Sequence, residues 1–217
     1  MATKDIKLIE YSEKVDLGNC ITHAFGAGLS VVGLIMMLLK ANGTRQIISA
    51  VLFGLSLIAV YMISAVYHGL KDEEKKRKAR LIDHSAIPFL IAGTATPCAL
   101  VTLYEISSVH SLIVLFLAWF CTVFGLISKL FFFEKLRKVT VAVYIISCFL
   151  MVCSAVPLLG QINRDAFSGI LLGNGFYLIG AAFCGLGIKR PALHVIFHVF
   201  TLAASLTHFL VIYIYIL

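Results

Sequence analysis

The sequence predicts an all-α integral membrane protein: a bundle of seven transmembrane helices with its N-terminus cytoplasmic and its C-terminus outside. Three observations carry that prediction. The 217 residues are 60% hydrophobic and only 13% charged, with a mean hydropathy of +0.99, whereas soluble domains carry about 25% charged residues. Seven apolar stretches of about 20 residues, each long enough to cross the hydrocarbon core, follow one another with short connections between them. Lysine and arginine crowd alternate connections and nearly vanish from the others, which orients the bundle by the positive-inside rule.

Residues 1–16 form a polar cytoplasmic segment, and residues 17–217 form a single seven-helix domain. No signal peptide is evident, because the first apolar stretch is too long for an h-region and has no small-residue cleavage site. The spans fall at 17–39, 46–69, 82–104, 109–131, 139–160, 166–188 and 193–217. With no water to satisfy backbone groups in the bilayer, each must be helical. In the first span Gly26 and Ser30, and in the sixth Gly169 and Gly173, are small residues at four-residue spacing, suited to close helix packing. Pro88, Pro97 and Pro157 lie inside spans and predict kinks.

The connections fix the sidedness. Fifteen basic residues fall on the N-terminal side, six of them (Lys71, Lys75, Lys76, Arg77, Lys78 and Arg80) in the second connection. Only Lys40, Arg45 and Arg164 fall opposite. The stretch Lys71–Arg80 reads as a solvated cytoplasmic loop with a secondary affinity for anionic lipid headgroups. The net charge of +7 therefore expresses topology, and no nucleic-acid partner is expected. Six cysteines lie in or beside the spans without a C-x-x-C pair and read as small hydrophobes.

Ionisable groups in hydrocarbon are expensive and mark function. Of eleven acidic residues only Asp83 falls in a span, and no Lys or Arg lies deep in one. The intramembrane set is His23, His68, Asp83, His84, His194, His198 and His208. With the predicted topology and a rise of about 1.5 Å per residue, His68, Asp83, His194 and His198 all fall within roughly 10 Å of the cytoplasmic boundary. His194 and His198, four apart, share a helix face and can reach one metal ion.

Three histidines with an open fourth position are a catalytic zinc arrangement. Asp83 is suited to hold the zinc water and accept its proton, and Ser64, one turn before His68, to hydrogen-bond that water or a ligand. Zinc lowers the pKa of bound water to about 7. His84 reads as a packing residue, His208 as a buried hydrogen-bonding residue about 20 Å along the last helix, and His110 as a loop residue without a role. His23 remains open between supporting the site and a purely structural role.

These residues carry a family likeness. Ser64-Ala-Val-Tyr-His68, the stretch from Asp83 through Pro88 to Thr94, His194-Val-Ile-Phe-His198 with Thr207-His208-Phe209, and Ile21 through Gly26 together resemble the bacterial hemolysin III branch of the progestin and adipoQ receptor family. The resemblance covers nearly the whole chain. It implies seven helices with a cytoplasmic N-terminus, the inverse of G-protein-coupled receptors. It also implies zinc on His68, His194 and His198 with Asp83 and Ser64 close by, and plasma-membrane residence. Eukaryotic relatives include adiponectin receptors, to which ceramidase-type amide hydrolysis is attributed. The long N-terminal extension of the receptor members has no counterpart before residue 17, so hormone recognition does not carry over.

Three functions compete. The first is a zinc-dependent intramembrane hydrolase for a lipid amide or ester, with membrane lipid as its partner. The second is a pore-forming cytolysin or channel, disfavoured because no row of polar residues beyond the near-cytoplasmic set crosses a span to line an aqueous pore. The third is a receptor-like membrane protein with structural zinc, against which three ligands and an open position argue mildly. A light-driven pump is excluded, since the seventh span lacks a lysine for a retinal Schiff base.

Overall fold

A computed structural model describes residues 6–217. The chain runs as α1 (Glu13–Lys40), α2 (Thr44–Gly69), α3 (Glu73–Pro97), α4 (Ser108–Phe132), α5 (Arg137–Ala155), α6 (Arg164–Gly187) and α7 (Leu193–Val211). After Pro97 the third helix passes through a π-turn, Cys98–Leu103, and continues to Ile106. A short 3-10 turn over Val156–Leu158 follows α5, and a second π-turn, Ile212–Ile216, follows α7. All seven are long and apolar enough to cross a membrane, and the protein is a multi-pass membrane protein.

Neighbours in sequence are mostly neighbours in space: α1 packs on α2, α2 on α3, α3 on α4, α4 on α5, and α6 on α7. The bundle closes where α7 returns to α1. That last contact brings residues near the two chain ends together, and it creates the site described below. Met37, Phe53, Tyr61 and Ile212 fill the interior, while Leu39, Phe116 and Phe149 point outward.

Close approaches use missing side chains. A Cβ on Gly93 would stand 3.0 Å from the Leu52 carbonyl oxygen, so α3 and α2 touch backbone to backbone there. Gly173 faces the His208 ring and Gly169 faces Val211, which seats α6 on α7 as the small-residue spacing predicts. The prolines are absorbed rather than left open. The Pro88 carbonyl accepts from Thr122 Oγ1 of α4 at 2.9 Å, Pro97 leads into the π-turn, and Pro157 lies within the 3-10 turn.

Two expectations are corrected. The stretch Lys71–Arg80 is not a loop: only Leu70–Asp72 connect, and α3 begins at Glu73, nine residues before the expected span. Asp72 caps it by accepting from the Lys75 backbone N–H at 2.8 Å, and Glu73–Arg77 and Glu74–Lys78 pair four residues apart. Likewise α1 begins at Glu13, which brings Asp16 into the helix, so Asp83 is not the bundle's only helical carboxylate near this level. Two cations also lie deeper than the charge pattern suggests. Arg80 and Lys129 are each only 3% exposed, and both lie over the Phe133 ring, 5.6 and 5.0 Å from its centroid.

Candidate metal centre

The last turn of α2 supplies His68, and the first two turns of α7 supply His194 and His198. One ring nitrogen from each lies within 4.8 Å of the others, a spacing that one ion can bridge. Ring centroids are 4.8 Å apart for His194–His198, 5.1 Å for His68–His198 and 5.4 Å for His68–His194. His198 is 1% exposed and His68 3%, while His194 is half-buried and leaves one approach open.

What orients these rings comes from α1. His68 Nδ1 donates to Asp16 Oδ1 at 2.8 Å, and the other oxygen of Asp16 is held by Lys76 of α3. His198 Nδ1 donates to the Asn19 carbonyl at 3.3 Å, with Thr22 Oγ1 at 3.4 Å. Carboxylate and carbonyl can only accept, so in each ring the proton sits on Nδ1 and the lone pair faces away on Nε2. His68 Nε2 is buried and has no hydrogen-bond partner among the described residues. A buried ring nitrogen with no partner is costly. A carboxylate behind an imidazole is the usual way a protein fixes a metal-binding tautomer. The donor set therefore fits a divalent cation of the zinc class: three neutral imidazoles, one backed by a carboxylate and one by a carbonyl.

Tyr11 closes the site from the N-terminal segment, edge-on to His68 with centroids 5.4 Å apart and tilted against His194 at 5.3 Å. Burial, reinforced by nearby Tyr67, holds its phenol well above the ordinary tyrosine range. It stays protonated and can only donate or accept as a neutral hydroxyl.

Asp83 and Ser64 take a different arrangement from the histidines. Asp83 on α3 lies outside the group of mutually adjacent ligand atoms. Ser64 is buried one turn below His68 on α2. His23 stacks on His198, centroids 3.6 Å apart and planes 9° from parallel, and neither of its nitrogens has a partner among the described residues. It packs against one of the three clustered rings and is not itself among them. His84 packs edge-on against Phe133, His208 Nε2 bonds the Ile170 carbonyl at 3.2 Å, and His110 bonds Ser107 at the start of α4.

A further polar row was not singled out in the sequence, where the expectation was only that none lines an aqueous pore. Down one face of α7, His198 is followed by Thr201, Ser205 and His208, all buried. Tyr61 donates to the Thr201 carbonyl at 3.1 Å and to Ser205 at 2.5 Å, and Tyr177 meets Ser205 at 2.7 Å. The row is a hydrogen-bonded seam between helices and not an open channel. Its signal was the spacing of three and four residues after His198. Asp16, Asn19 and His23 carry the same helical spacing, and of the three only Asp16 was excluded by starting the span at residue 17.

Comparison with known proteins agrees with this picture. A profile for the family described as "Haemolysin-III related" matches residues 11–209. The protein is similar to Hemolysin-3 of Bacillus cereus, 33% identical over 94% of this chain and 93% of that one. The Hemolysin-3 homolog of Bacillus subtilis (strain 168) is 31% identical over 92% and 93%. Monocyte to macrophage differentiation factor of Homo sapiens is 26% identical over 91% of this chain and 82% of its own. The matched region takes in every residue of the histidine cluster together with Asp16 and Asp83, and the chain belongs to the haemolysin-III related family.

Proposed function

We propose that this protein is a zinc-dependent hydrolase of a lipid amide or ester in the plasma membrane, with the basic end of the bundle facing the cytoplasm. The observation that carries the reading is the buried Nε2 of His68, without a partner among the described residues, beside two further imidazoles. His68, His194 and His198 would hold the ion. When bound, it would supply Lewis acidity toward a carbonyl oxygen and acidify water.

The protein's own residues do the rest. Asp16 and the Asn19 carbonyl keep two imidazoles neutral at Nε2 and fixed in orientation. In this reading Asp83 accepts the proton of the attacking water at a carboxylate oxygen, and Ser64, one turn from His68, offers a hydroxyl to that water or to a ligand. The half-buried side of His194 is the approach for a substrate arriving sideways from the lipid.

The test is fatty-acid release from ceramides and phospholipids by purified protein, with His194→Ala as control. Release by the parent protein that is lost in the variant supports the reading. No release from any lipid, or release that persists without the histidine, removes it. The relatives' name bears on lysis, so liposome dye leakage belongs beside the assay. Leakage that survives His68→Ala would favour a pore.

A further inference from the structure

At the basic end of the bundle a cleft of about 570 Å³ opens between the N-terminal segment, the start of α3, the α4–α5 connection and the α6–α7 connection. None of the three clustered histidines lines it. Its wall carries four cations, Lys7, Arg80, Arg137 and Lys189, and two carboxylates, Glu10 and Glu134. Arg80 is 3% exposed, yet its Nη1 has no hydrogen-bond partner among the described residues. Glu134 Oε1 is likewise buried and without a partner among them. No ion pair joins the two among the described residues.

A buried guanidinium donor and a buried carboxylate acceptor, left unmatched in one cleft, are each costly. Guanidinium matches the geometry of phosphate oxygens through its planar fork of donors. A bare phosphate would answer Arg80 and leave Glu134 unmatched. A phosphate ester that also carries an ammonium or hydroxyl donor answers both.

We propose that this cleft binds the phosphodiester of a headgroup that carries its own donor. Arg80, Arg137 and Lys189 take the phosphate oxygens, and Glu134 accepts from the ammonium or hydroxyl. The site stands whether or not the histidine cluster performs hydrolysis. Phospholipid and soluble glycerophosphodiester share this chemistry.

Binding to purified full-length protein in detergent micelles tests it, with phosphatidylethanolamine, soluble glycerophosphoethanolamine and diacylglycerol as probes. The expected result is saturable binding of at least one phosphate-bearing probe and none of diacylglycerol. The double variant Arg137→Gln/Lys189→Gln, at less buried positions that leave folding intact, should weaken that binding at least tenfold. Glu134→Gln should weaken it several-fold. Lipid binding tenfold tighter than the soluble ester assigns the bilayer as source, and equal affinity assigns a soluble ligand; both support the site. Absence of binding by either phosphate probe, or affinity unchanged in the double variant, overturns it.

Discussion

His68 is the residue on which the candidate centre depends most. It is the ring held by a carboxylate at one nitrogen and left bare at the other. His68→Ala should lower the zinc content of the purified protein from about one per chain to near zero, measured by elemental mass spectrometry. His208→Ala, well along α7 and bonded only to the Ile170 carbonyl, should leave it unchanged. Asp16→Asn keeps shape but removes the charge behind His68, and losing the carboxylate that orients a metal-binding imidazole costs roughly 10–100-fold in metal affinity. Competition with a chelator of known affinity would read that shift. The three clustered histidines were legible because helical periodicity and topology put them on one face and one level. Asp16 was not, because hydropathy reports where the chain is apolar and not where its helix starts. Tyr11, six residues before Leu17, reaches the rings through tertiary packing that no local pattern encodes.

At the scale of elements, the α6–α7 seam is the least forgiving. Gly173 has the His208 ring where a Cβ would go, and His208 is pinned by its bond to Ile170. Gly173→Leu should destabilise the protein by about 1–3 kcal/mol through overpacking. Gly175→Ala, on the same helix with open space around it, should be neutral or slightly stabilising. Thermal unfolding in one detergent would rank the two. The start of α3 shows why charge-rich helices go unseen. Its first turns carry Lys75 through Lys78, which no hydropathy window favours, yet a cap at Asp72 and two pairs at four-residue spacing hold it. Buried Arg80 and Lys129 were missed for a related reason: the aromatic ring they share, Phe133, comes from the turn after α4.

At the scale of the whole molecule, seven spans and their order were readable from composition and length alone, because the bilayer fixes how long each must be. Which spans touch was less so, since lipid-facing and protein-facing sides are both apolar here. Sidedness is open to direct test. A membrane-impermeant thiol reagent should label Gln161→Cys in intact cells, and Lys138→Cys only after permeabilisation, each compared with the parent protein. The reverse pattern would invert the bundle and place the histidine cluster toward the outside. The closure of α7 onto α1 has a consequence in time. Asn19 and His198 are 179 residues apart, and ribosomes add about 5–20 residues per second, so roughly 9–36 seconds separate their synthesis. During that interval a nascent chain already threaded into the bilayer has an imidazole at 68 with nothing to share, and a chain stopped short of its final helix never gains the clasp. Occupancy by the cation would thus report that synthesis had passed His198 and that α7 had docked.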